Sequence, residues 1–219
     1  MSEPEGAPRV RIWDAPTRIF HWSIVLLIPF LWWTAEEGRL DLHIPAGLAM
    51  LGLVLFRLLW GLFGSSTARF AGFVKGPQAI ARQLGGRALP VTGHSPLGAL
   101  SVLAMLAALA TQVGLGLFAT DEDGLVSGPL AHLVSYETSE ALTDWHDTMF
   151  DLILILVGLH LAAILFYALV KRRNLTGHMI TGRGGPDGVG GGMHPAPVWR
   201  LCAAAAASAG VALWMGGVI

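Results

Sequence analysis

The stretch DWHDTMFDLILILVGLHL, residues 144–161, decides the fold. From Met149 it runs apolar to Val170, with Asp151 its one charged residue. A run of that length crosses a hydrocarbon core about 30 Å thick as a helix. His146 and His160 stand fourteen residues apart on it. That spacing is about four turns, or roughly 21 Å along the axis, so both imidazoles point to nearly the same face at two depths. Polar groups inside a bilayer are costly and turn toward the interior of a bundle.

Working outward, five apolar segments are long enough to span: 18–36, 43–64, 97–119, 147–170 and 197–217. The chain is 53% hydrophobic and only 13% charged, where a soluble domain carries about 25% charged residues. This composition excludes a large soluble domain and gives no sign of nucleic-acid binding. The first segment holds Pro29 and is followed by TAEEGR rather than a small-residue cleavage site, so it reads as a retained span, not a signal peptide. The fifth contains five alanines, Ala203 to Ala207, which contribute less hydrophobicity than leucine would.

The loops alternate in charge. Arg9, Arg11 and Arg18 precede the first span; Arg69, Lys75, Arg82 and Arg87 lie between the second and third; Lys171, Arg172, Arg173 and Arg183 follow the fourth, and Arg200 stands at the mouth of the fifth. Residues 120–146 instead carry Asp121, Glu122, Asp123, Glu137, Glu140 and Asp144 with no Lys or Arg. By the positive-inside rule the N-terminus is cytoplasmic and the C-terminus outside. The acidic loop is either a docking surface or simply solvated. The segment GRGGPDGVGGG, residues 182–192, has seven glycines. No strand precedes it as a dinucleotide fingerprint requires, so it reads as a flexible linker. The expected organisation is a four-helix bundle over 9–181, a linker over 182–196 and an added transmembrane helix over 197–217.

Depth decides which histidines can meet. His21 lies near the start of an outward-running span and His43 at the start of an inward-running one. On the inward-running fourth span His146 is outer and His160 deeper. Matching depths pairs His21 with His160 and His43 with His146. Each pair can give two axial nitrogens to one haem iron, which leaves no open coordination position and suits electron transfer. Bundle cores build such sites from facing helices. Cys202 is the sole cysteine and no CxxCH occurs, so the haem is noncovalent. The bland alternatives are helix-packing histidines, or a haem-free metal or proton pathway. The second would want carboxylates beside the histidines; Asp147 and Asp151 flank His146, but none lies near His21 or His160 in the core. His94 precedes Pro96 and reads as a cap for the third span. His132, His178 and His194 read as structural or solvated.

Several motifs, in order, resemble one family. VRIWDAPTRIFHW (10–22), FRLLWGLFGSSTARFAGFVKGP (56–77), GHSPLGAL (93–100), residues 144–161 and NLTGHMITGR (174–183) are similar to the bacterial di-haem cytochrome b561 family, which includes b-type cytochrome subunits of nickel–iron hydrogenases. The resemblance covers about residues 9 to 183. It implies an all-α integral membrane protein, a four-helix transmembrane bundle holding two b haems, in a bacterial inner membrane. The family's ligands fall on His21, His43, His146 and His160. Ser95 stands where the family usually has Asn. The fifth span extends beyond the shortest members.

Haem propionates want cationic partners. Arg18, one turn before His21, and Arg57, fourteen residues after His43, are the candidates; for Arg57 the alternative is snorkelling to the interface. Gly47, Gly52, Gly114, Gly116 and Gly158 make room for a macrocycle or serve ordinary helix packing. Trp13, Trp22, Trp32, Trp33 and Trp60 read as interfacial belts. The expected function is electron transfer between the quinone pool and a redox partner such as a c-type cytochrome, a dehydrogenase or a hydrogenase. Two other readings stay open: a self-contained quinone oxidoreductase using a small periplasmic oxidant or reductant, and a haem-free transporter.

Overall fold

The computed structural model describes residues 10–87, 93–121, 123–184 and 192–218. Five of its helices are long and apolar enough to cross a membrane. They are α1 (Ala15–Glu36), α2 (Leu40–Phe63), α5 (Pro96–Gly116), α6 (Tyr136–Leu169) and α8 (Val198–Met215). Three short helices sit in the connections: α3 (Phe70–Phe73), α4 (Pro77–Leu84) and α7 (Leu175–Thr181). Besides an isolated bridge between Thr120 and Ser127, the β-structure among the described residues is a two-residue antiparallel ribbon. In it β1 (Val10–Arg11) pairs with β2 (Arg183–Gly184), Val10 opposite Gly184.

Local chemistry explains the helix ends. Asp14 caps α1, accepting from the Thr17 amide at 2.7 Å. α1 stops at Gly38, whose φ of +63° suits the left-handed position after a helix. There the Arg39 amide reaches back to the Thr34 carbonyl at 2.8 Å and the Gly38 amide to Ala35 at 3.0 Å. Ser95, not His94, caps α5, its hydroxyl accepting from the Gly98 amide at 3.2 Å. Serine and asparagine are both good caps, so the departure from the family pattern at this position is chemically mild.

α6 corrects the expected loop over 120–146. It begins at Tyr136, capped by Ser135, whose hydroxyl accepts from the Thr138 amide at 3.3 Å. At 34 residues it is about 51 Å long, so its first turns exceed a core about 30 Å thick. Those turns hold Glu137, Glu140 and Asp144, which have no apolar stripe to announce a helix. The preceding loop is tied to them: the Thr120 amide donates to Thr143 Oγ1, which donates back to the Thr120 carbonyl, both at 3.0 Å. Deeper in α6, Ile155, Leu159, Leu161 and Leu165 are exposed, as lipid-facing side chains must be.

The chain gathers into two compact units, each containing alternate helix ends. One holds residues 10–20, 57–104 and 158–203; the other holds 21–56, 105–157 and 204–218. In the first, the ribbon ties the N-terminal stretch to the chain after α7. The Ile12 amide donates to the Gly182 carbonyl at 2.8 Å, and the Met193 amide to Arg11 at 2.7 Å. The His194 amide donates to Ser66 Oγ at 2.9 Å. The two described ends of the glycine-rich segment are thus held by hydrogen bonds. Residues 185–191, on which its expected flexibility rests, lie outside the described residues. In the second unit the small residues of α8 let it approach α2. A Cβ placed on Gly52 would sit 3.5 Å from Ala212 Cβ. Ser208 is buried and bonds the Ala204 carbonyl at 2.6 Å. The alanines that weaken the hydropathy of this helix are what close packing between membrane helices uses.

Candidate haem-binding site

His43 on α2 and His146 on α6 face each other with ring centroids 6.3 Å apart and planes at 77°. Their outer nitrogens are fixed. His43 Nδ1 lies 3.1 Å from the Leu31 carbonyl and 3.1 Å from Thr34 Oγ1. His146 Nδ1 lies 2.9 Å from the Gln112 carbonyl. A carbonyl only accepts, so each Nδ1 carries the proton and each Nε2 keeps its lone pair for a metal. Metal-bound histidines characteristically spend their other N–H on such a partner. Imidazole nitrogens at about 2 Å from one shared metal put ring centroids about 6 Å apart, which matches the observed separation. The donor set therefore fits a haem iron held by two histidines.

Backbone supplies the precision here. Thr34 is fully buried, and its hydroxyl also donates to the Leu31 carbonyl at 2.9 Å. Gly116, at the end of α5, lies against the His146 ring; a Cβ there would come within 2.8 Å of Cε1. A Cβ at Gly47, Gly114 or Gly158 would meet nothing within 4 Å. Gly116 is thus the one glycine of the five whose missing side chain the imidazole requires. Gln112 Oε1 is buried with no hydrogen-bond partner among the described residues.

The other two histidines fall in different units. His21 on α1 is half-buried against the Trp22 ring, with centroids 5.1 Å apart. His160 on α6 is half-buried near the other end of its helix from His146. Among the described residues no group of three or more His, Cys, Asp or Glu gathers in one place.

The arginines differ in setting. Arg57 is 3% exposed, so it does not snorkel. It donates to the Ala68 carbonyl at 3.3 Å and stacks over Phe70 at 5.1 Å. Arg18 donates through Nη1 to the Ile180 carbonyl, one of the last carbonyls of α7, which have no partner within the helix. Trp60 is not part of an interfacial belt. It is 2% exposed, and its indole donates to Asp14 Oδ2 at 2.9 Å. Ser65 donates to the same oxygen. Trp32 and Trp33 are exposed, as a belt requires.

His94 packs between the rings of Trp13 and Phe73, each with its centroid 4.5 Å away. Its Nδ1 is buried with no hydrogen-bond partner among the described residues. Burial, and then the positive charge of Arg57, push its pKa down to about 3. It is a neutral packing residue. His194 is held through its backbone to Ser66. His178 sits beside β2, its ring 3.2 Å from the position of a Cβ on Gly184.

Little in the sequence could have flagged the partners of Nδ1. Two of the three are main-chain carbonyls, invisible to any side-chain pattern, and the third is Thr34, a polar residue at a span end.

Comparison with curated proteins returns no match, and neither does comparison with solved structures. The profile of the family described as Prokaryotic cytochrome b561 matches residues 12–182. That stretch holds all four histidines and ends before α8. By this match over well more than half its length, the chain belongs to the prokaryotic cytochrome b561 family, four-helix membrane proteins that carry electrons on b-type haem.

Proposed function

We propose that the chain carries electrons through the membrane on two noncovalent b haems, exchanging them between the quinone pool and a redox partner protein. The observation that carries this is the His43–His146 pair, with both Nδ1 protons committed and both Nε2 lone pairs left for one iron. His21 and His160 are assigned to the second haem, supported by their depth on α1 and α6. Bound haem supplies the one-electron chemistry. Two histidines to each haem would leave no position open to oxygen. The buried Arg57 is the cation assigned to a propionate of the His21–His160 haem. Arg18, with Nη1 spent on Ile180, is the second. Residues 9–181 form the haem-carrying bundle, 182–196 the connection and 197–217 the added helix.

The arginine-rich connections support a cytoplasmic N-terminus and a periplasmic C-terminus in a bacterial inner membrane. The family includes hydrogenase cytochrome b subunits, so a hydrogenase joins a dehydrogenase and a c-type cytochrome as partner classes.

The test is haem content, by pyridine haemochrome assay with protein quantitation and a reduced-minus-oxidised spectrum. Close to two b haems per chain are expected. His43→Ala and His146→Ala should each lose one haem, and His21→Ala and His160→Ala the other. Both haems retained in all four variants would refute the ligand set. No haem in protein from haem-replete cells would refute electron transfer. Adding quinol to the holoprotein then reads the quinone link: both haems reduce with no partner present.

A further inference from the structure

A cavity of about 510 Å³ opens beside the start of α1, and none of the four histidines lines it. Three arginines do, Arg11, Arg18 and Arg183, against a single carboxylate, Asp14. Asp14 is bonded elsewhere: Oδ1 takes the Thr17 amide, and Oδ2 takes Trp60 and Ser65. Arg18 is the cation assigned above to a haem propionate, and the two guanidiniums left, Arg11 and Arg183, still outnumber the one carboxylate. Arg11 and Arg183 are exposed and lie opposite each other in the ribbon. The first turns of both α1 and α8 also line the cavity, through Ala15 and Val198, and helix N-termini carry partial positive charge. Apart from Ser65 and Thr181 the rest of the wall is built from apolar and aromatic residues and runs onto α8 through Val198 and Leu201, Val198 being largely exposed.

We propose that this cavity is a binding site for a phosphate-bearing anion. Guanidinium forks match phosphate oxygens in a way no other side chain does. Two sources share that chemistry: the headgroup of an anionic phospholipid, whose chains would lie on the apolar wall of α8, and a soluble phosphate. The far wall, including Met193 and Leu201, comes from beyond the family-matched residues 12–182. The C-terminal extension thus completes a site that the bundle alone does not have.

The experiment uses the full-length holoprotein in neutral detergent at low, fixed ionic strength. Its melting temperature is read from tryptophan fluorescence and from the haem absorption. Phosphatidylglycerol, phosphatidylcholine and inorganic phosphate are added in separate arms, to the wild type and to Arg11→Gln/Arg183→Gln. These two side chains are exposed and their strand bonds are main-chain, so the variant keeps the fold; an unchanged haem spectrum checks this. A ligand that binds only the folded state raises the melting temperature. A rise of several degrees with phosphatidylglycerol but not with phosphatidylcholine or phosphate, at least halved in the variant, supports the site and assigns it to lipid. A rise with phosphate alone, lost in the variant, supports the site and assigns it to a soluble anion. No rise with either, or an equal rise in the variant, overturns the proposal.

Discussion

Gly116 touches the imidazole of His146, and no other residue type fits there. A Cβ would stand 2.8 Å from Cε1 and 3.2 Å from Nδ1, and Nδ1 is the atom that donates to the Gln112 carbonyl. Gly116→Ala must tilt the ring and strain that bond. Losing the outer partner of a metal-bound histidine typically costs about 10- to 100-fold in metal affinity. Gly116→Ala is expected to lower the occupancy of the His43–His146 haem, and Gly116→Val to abolish it, while the other haem stays. Haem-to-protein ratios measured across the two variants check this. Full occupancy in Gly116→Val would separate Gly116 from the site.

Thr34 tests fine tuning rather than occupancy. Its hydroxyl lies 3.1 Å from His43 Nδ1, and the Leu31 carbonyl accepts from the same nitrogen. Thr34→Val keeps the shape and removes the hydroxyl alone. Haem content should hold, because Leu31 still orients the ring. The midpoint potential of one haem should move by tens of millivolts, since hydrogen bonding to the ligand tunes it. A potentiometric titration resolves the two haems, and only one should shift.

Asp14 joins α1, α2 and the turn after α2 through one carboxylate. It caps α1 through the Thr17 amide and accepts from Trp60 on α2 and from Ser65 just after it. Asp14→Ala loses a cap worth about 1 kcal/mol and strands two buried donors at about 1–3 kcal/mol each. A fall of several kcal/mol in unfolding free energy is therefore expected. Asp14→Asn retains the cap and should recover part of it. Thermal unfolding of the three proteins at one pH ranks them; an Asp14→Ala protein as stable as the wild type would remove the network from any structural role.

The spans and the facing of His43 and His146 were legible because each has a strong, one-dimensional signature. Twenty apolar residues need no context, and a fourteen-residue spacing puts two imidazoles on one helix face wherever the helix lies. The first turns of α6 were not legible: beyond the bilayer a helix needs no apolar stripe, and Glu137, Glu140 and Asp144 read as a loop. The ribbon joins Val10 to Gly184, a contact between segments so far apart that no local pattern marks it. Trp60 sits at a span end like an interfacial residue, yet a single buried acceptor, Asp14, draws it inward. The position of Arg57 was undecided between the interface and the interior until burial placed it inside. What escaped in each case is a partner distant in sequence or made of backbone.

His94 links packing to pH. Between Trp13 and Phe73 and near Arg57, its folded pKa is pushed from the ordinary 6.5 down to about 3. Between those values the unfolded chain binds a proton that the folded chain does not, so stability rises with pH across this window. The contribution is complete above about pH 6.5 and drains away as the pH falls toward 3, at up to about 1.4 kcal/mol per pH unit. His94→Leu has nothing to protonate there and keeps an apolar side chain between the two rings. Its melting temperature should change less than that of the wild type between pH 7 and pH 4.5, so the gap between the two proteins should narrow, or reverse, in acid. Parallel melting curves at every pH would mean that the imidazole of His94 takes up its proton in the folded protein as easily as in the unfolded one, and the aromatic enclosure would then carry no electrostatic cost.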